Sequence, residues 1–212
     1  MKLPSHRTPR YVRNRLLQIA YRFINRFSPQ ISRRIIPHLS VLIKPHFVGL
    51  EIGAGASTIW FARRCYHLSS IEHSEKWHRK VQDWIKKKKL ERKVTLYFAE
   101  LASLGMPNSY LGAIKKIPNG SLDFVLVDGK YRDAVALAST NKLKSGGLLI
   151  IDDVHRYLPR VIPSSAPFAR SNLAGCASDL WREFEELTAS WEQVWRSDGV
   201  QDTVIFIKPI GG

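Results

Sequence analysis

The chain of 212 residues is long enough to bury one full hydrophobic core, so length alone points to one domain with an appendage. Its formal net charge of +15 is unevenly placed: residues 1–50 carry ten Lys and Arg and no Asp or Glu, which leaves +5 for the remainder. Two distant cysteines, Cys65 and Cys176, exclude a disulfide framework, and no apolar run approaches the ~20 residues that cross a bilayer or the apolar core of a signal peptide, so a cytoplasmic protein is expected.

The basic segment, residues 1–44, reads as a helical extension. Over residues 11–27, Val12, Leu16, Ile19, Ala20, Phe23, Ile24 and Phe27 recur at helical spacing, with Arg15, Gln18, Arg22, Asn25 and Arg26 on the other side. The ordinary expectation for such a helix is that its apolar face packs on the domain and its arginines stay in water. Two further readings are peripheral attachment to an anionic membrane surface through residues 1–28, and, less favoured, contact with nucleic acid. Pro29 and Pro37 punctuate the segment, and residues 32–43 suit a second short helix leading to the first strand.

The domain proper, residues 45–212, opens on an apolar run, Val48-Gly-Leu-Glu-Ile52, followed by Gly53-Ala-Gly55-Ala-Ser57-Thr58. A buried strand, a tight glycine turn and a helix start are expected there, with a ligand on the turn. A dinucleotide fingerprint needs a third glycine where Thr58 stands. Instead Glu51 closes the strand, and a carboxylate so close to the turn repels a pyrophosphate and attracts an ammonium. The pattern Glu51-x-Gly53-x-Gly55-x-Ser57-Thr58 resembles motif I of class I S-adenosylmethionine-dependent methyltransferases, especially small bacterial ones. That resemblance implies S-adenosylmethionine as cofactor, with Glu51, Gly53, Gly55, Ser57 and Thr58 around it.

Downstream the pattern alternates as in a doubly wound fold. A helix over residues 58–65 leads to a strand over 67–71 that ends at Glu72, 17 positions after Gly55, where such folds place a carboxylate for the ribose hydroxyls. Ser74 is a candidate cap for a helix over 77–89, whose terminal lysine run complements the helix dipole. A third strand over 94–98 precedes Glu100, a candidate acceptor for the adenine amino group. Residues 101–120 are less regular, with a short helix over 111–116. Strands over 122–128 and 147–153 end in Asp128 and in Asp152-Asp153. A crossover helix over 131–143 and a turn at 145–147 join them.

Three carboxylates at neighbouring strand ends suit a hard divalent cation. They also resemble the metal-dependent O-methyltransferases, which implies Mg2+ on Asp128, Asp152 and Asp153; Asp128 is equally a cofactor-side group. Lys130 and His155 are the candidate bases for an acceptor hydroxyl, and Arg132 and Arg156 could steer an anionic acceptor. The long connection after Tyr157 reads as a lid or substrate-binding element. A helix over 178–187 and strands over 191–196 and 203–208, joined by a hairpin, complete the chain.

The fold expected is therefore α/β, doubly wound and Rossmann-like, with a seven-stranded, mostly parallel sheet closed by an antiparallel C-terminal hairpin strand. The function expected is S-adenosylmethionine-dependent methylation, O-directed, on a small-molecule, sugar or lipid-linked acceptor, by a chain free to form oligomers. Two alternatives are an RNA ribose methyltransferase and a non-catalytic nucleotide-binding module of the same fold.

Overall fold

The structure is a computed structural model and describes residues 8–100, 108–160 and 166–211. Seven strands, β1 (Val48–Ile52), β2 (His67–Glu72), β3 (Val94–Phe98), β4 (Leu122–Val127), β5 (Leu143–Asp152), β6 (Glu192–Ser197) and β7 (Asp202–Ile207), form one sheet in the order β3-β2-β1-β4-β5-β7-β6. Strands β1 to β5 run parallel, and β7 is antiparallel to both β5 and β6. The strand order reverses between β1 and β4, so a crevice opens at their carboxyl ends.

Alternation along the strands supplies both faces of the sheet. Val125, Val127, Leu149 and Ile151 pack under α5 (Asn108–Lys115), α6 (Arg132–Thr140) and α7 (Asp179–Leu187). Phe124, Leu126, Leu148 and Ile150 face α2 (Ile36–Leu42) and α3 (Ala56–Ala62). A third cluster seats α4 (Glu75–Lys87) beside α3 through Ile59, Ala62, Val81 and Ile85.

Two expectations are corrected by this packing. Ser145-Gly146-Gly147 is part of β5 rather than a turn before it: the β4–β5 register shifts there, Gly146 takes φ +75°, and a Cβ on Gly147 would stand 2.8 Å from the Lys144 carbonyl. Helix α1 (Pro9–Ile24) forms, capped by the Thr8 hydroxyl accepting from Tyr11 N–H, but it faces the other way. Asn14 and Gln18 are buried, while Val12, Leu16, Ile19, Phe23 and Ile24 are exposed. The inner surface that α1 meets is polar. Arg22 donates to the carbonyl of Gln30 at 3.0 Å and to Gln201 Oε1 at 3.3 Å, and Tyr21 bonds Ser28.

After α1 the extension becomes part of the core. Ile31, Ile35, Ile36, Leu39 and Ile43 are buried with Phe61, Leu68 and Ile150. Polar bonds tie the same stretch to the C-terminal hairpin: Ser32 N–H donates to Thr203 Oγ1 (2.9 Å), Arg33 N–H to Asp198 Oδ2 (3.2 Å), and Gln201 Nε2 to the Gln30 carbonyl (2.8 Å). Among the described residues no helix is long and apolar enough to cross a membrane.

Candidate functional site

The crevice at the switch point holds a cavity of about 780 Å³. Its floor is the closest approach of two backbones. Gly53 adopts φ +97°, and a Cβ there would lie 2.9 Å from the main chain of Asp128. Strands β1 and β4 are tied at this point by Asp128 N–H donating to the Ile52 carbonyl. Gly53, Gly55 and Ser57 line one end of the cavity, with Trp77 behind them, its indole N–H on the Ala54 carbonyl.

Glu51 and Thr58 lie beneath this turn rather than in the cavity. Thr58 Oγ1 accepts from Gly55 N–H (3.0 Å) and donates to Glu51 Oε2, which also accepts from Ser70 Oγ (2.6 Å). The hydroxyl thus locks the glycine turn to the strand carboxylate. Burial pushes the Glu51 carboxyl up to about 7; the hydroxyl bonds oppose the shift and the charge of Asp128 adds to it. Glu51 Oε1 is buried with no hydrogen-bond partner among the described residues.

Glu72 lines the cavity from the end of β2. Its Oε1 accepts from the backbone N–H groups of His73 (2.9 Å) and Ser74 (2.7 Å), which fixes the carboxylate, and Ser74 then caps α4. A hydroxyl-bearing ring on the turn would meet a preoriented acceptor. Glu100 is exposed beyond β3 and does not line the cavity, and the adjoining residues 101–107 lie outside the described residues.

The three aspartates do not form the expected metal site. Among the described residues no three His, Cys, Asp or Glu side chains are placed to hold an ion together. Arg132 takes the central position: its guanidinium donates to Asp128 Oδ1 at 2.9 Å and to the carbonyls of Asp128, Gly129 and Asp152. Asp152 is turned away by strand parity. It sits opposite Thr203 in the antiparallel β5–β7 register and accepts that hydroxyl at 2.6 Å. Asp153, in the left-handed region at φ 55°, faces Arg156 at 3.8 Å and lines the cavity. Burial is the main cause that raises Asp128, to about 6, with Asp153 adding and Arg132 opposing. Burial and then the charge of Asp128 hold Asp152 well above the carboxylate range.

The two candidate bases separate. Lys130 is exposed and lines the cavity mouth. His155 is buried outside it, its Nδ1 accepting from Asp202 N–H at 3.2 Å, and burial lowers its pKa despite the nearby carboxylates Asp202 and Asp153. A ring held in that way is a structural bond to β7, so the expectation of a catalytic His155 is corrected.

Sequence reasoning missed most of the far wall. Tyr157 stacks on Trp181 at 5.2 Å and 14°, and both line the cavity together with Arg156, Tyr131 and Ser178. Ser178 caps α7 and donates to Asp133 Oδ2 at 2.9 Å, which joins that helix to the start of α6. Tyr131 holds φ 52°, an uncommon conformation for a bulky side chain, at the edge of the same cavity. Of these, only Arg156, as a candidate to steer an anionic acceptor, and Tyr157, at the head of the long loop, carried a signal in the sequence.

A family model described as a methyltransferase domain matches residues 50–154. Among solved structures, one described as a caffeoyl-CoA O-methyltransferase from Staphylococcus aureus superimposes with a TM-score of 0.61 at 18% identity, over 91% of each chain. One described as an O-methyltransferase from Klebsiella pneumoniae gives 0.58 at 17% identity, over 95% of this chain and 90% of that one. An O-methyltransferase from Bacillus cereus in complex with SAH gives 0.56 at 19%, over 97% and 84%. No curated protein sequence matches the chain. At these identities the likeness to the solved structures is one of fold.

Proposed function

We propose that this chain, a class I S-adenosylmethionine-dependent methyltransferase, methylates a hydroxyl of a small, ring-bearing acceptor held in the outer half of its cavity. The observation that carries the reading is the lining of one cavity: a glycine turn with Glu72, and an aromatic stack, with Lys130 and Arg156 among the same lining residues. S-adenosylmethionine, held by the glycine turn and Glu72, would supply an electrophilic sulfonium methyl for the acceptor oxygen.

The cofactor fits the residues present. The turn over Gly53 and Gly55 lets a ligand approach the backbone, Ser57 and Glu72 offer polar contacts to it, and the unpartnered Glu51 Oε1 below favours a cation above. Asp128 closes the floor between the two halves. Tyr157 sets the plane of the acceptor ring, and Arg156 draws an anionic substituent. Lys130, as the neutral amine, takes the hydroxyl proton onto its nitrogen lone pair. In this mechanism the positive charge that magnesium would bring is carried by Arg132, because the three aspartates do not fit an ion. Glu100, away from the cavity, takes no part.

Calorimetry with S-adenosylmethionine and with a nicotinamide dinucleotide tests the donor half: only the former binds. Methyl-labelled cofactor offered with phenols, sugars and lipid-linked sugars tests the acceptor half, with label expected on oxygen. Lys130→Met is expected to lower kcat by roughly 10²- to 10⁴-fold while cofactor affinity stays within about twofold. Absence of S-adenosylmethionine binding, or label found on nitrogen alone, overturns the reading.

A further inference from the structure

Helix α1 turns its apolar side to water. At 100° per residue, Ile19, Val12, Phe23, Leu16, Ala20, Ile24 and Leu17 follow one another over an arc of about 160° opposite the buried Asn14 and Gln18. Leu16 is 62% exposed, Phe23 88% and Ile24 79%. Arg13 is the one charge inside this arc, with Arg10 and Arg15 at its two edges. Beyond the helix end, Phe27 sits under the charges of Arg63 (5.9 Å) and Lys88 (5.0 Å) and edge-on to Trp84, so the exposed lysines that close α4 continue the basic border.

We infer that α1 is an in-plane anchor for an anionic phospholipid surface. Three occupants compete for the face, and charge separates them. A second copy of the chain would bring two arginine collars together without a carboxylate between them, since residues 1–50 contain no Asp or Glu. A nucleic acid would engage the arginines and leave the apolar arc in water. An anionic bilayer accepts both parts: the arc enters the boundary between headgroups and acyl chains, and the collar meets the phosphates.

The anchoring direction has a geometric consequence for the site. Arg22 on the inner face of α1 bonds the Gln30 carbonyl, and Gln30 lines the cavity. A docked α1 therefore places the cavity rim on the protein side of the anchor, separated from the lipid surface by this one helix.

Co-sedimentation of the full chain with phosphatidylcholine vesicles, with and without phosphatidylglycerol, tests the anchor. Binding is expected only with the anionic lipid and should weaken as salt rises. The exposed-face variant Leu16→Glu/Phe23→Glu should lose at least tenfold in vesicle partition at unchanged Tm, and Arg13→Ala about fivefold. Equal binding by the Leu16→Glu/Phe23→Glu variant overturns the inference, as does failure of the wild type to bind. A dimer seen by light scattering that this variant dissociates would assign the face to a second copy. RNA binding that survives in the variant, without vesicle binding by the wild type, would assign the basic border to nucleic acid.

Discussion

Thr58, standing where a dinucleotide fingerprint has its third glycine, fixes the turn with a hydroxyl. Its oxygen accepts from Gly55 N–H and its proton goes to Glu51. Glu51 then carries the pH dependence of this corner. Its carboxyl is raised from 4.5 to about 7, so between those values the folded chain binds a proton that the unfolded chain has released. Stability from this group is full below about pH 4.5 and is lost as pH rises through 7. Tm curves should accordingly show a declining component between pH 5 and 7 that is absent in Glu51→Gln; parallel curves for the two proteins would refute this role. Cofactor binding should also tighten as pH rises through that window, because an ammonium favours the ionised form. The glycines and Glu72 were legible in the sequence because strand ends and turns are local. That Glu51 lies under the turn and not in the cavity was not, since it depends on Ser70 of a neighbouring strand.

At the scale of elements, register decided what local pattern left open. Asp128, Asp152 and Asp153 read as a cluster because they close adjacent strands. Residues 148 and 150 of β5, however, face α2 and α3, and Asp152 keeps their parity, which sets it against Thr203, 51 residues away on β7. Arg132, on the first turn of α6, binds the Asp128 carboxylate and the Asp152 carbonyl. Turnover should then be insensitive to a chelator, with magnesium titrations identical for wild type and Asp152→Ala. Arg132→Met should destabilise the fold by about 3 kcal/mol in denaturant titrations, because it leaves a partly buried aspartate without its cation. Activity abolished by the chelator and restored by magnesium would show the opposite. The direction of α1 escaped the sequence for a related reason: its pattern was amphipathic, but only the polar ledge of Gln30 and Gln201 determines which side turns inward.

At the scale of the whole molecule, the extension divides into two parts with different costs of removal. Deletion of residues 1–27 takes away a helix with two buried side chains, Asn14 and Gln18, and should leave a folded, cofactor-binding protein. Deletion of residues 1–44 also removes Ile31, Ile35, Ile36, Leu39 and Ile43 from the core. At about 1.5–3 kcal/mol for each buried side chain, that loss is comparable to the ~5–15 kcal/mol by which whole domains are stable. The shorter protein should therefore be insoluble or unfolded by circular dichroism, and a stable product with native Tm would contradict the packing described.

The bonds from Ser32, Arg33 and Gln30 to Thr203, Asp198 and Gln201 also set an order of events in synthesis. Residues 30–33 leave the ribosome well before β6 and β7, the strand pair that carries their partners. Until that hairpin is free, Ile31 to Ile43 lack part of their seat, so the growing chain carries an apolar stretch that needs shielding until β7 pairs. The core on this face of the sheet is thus completed only when β7 arrives, and nascent forms that lack the hairpin are the ones most dependent on chaperones.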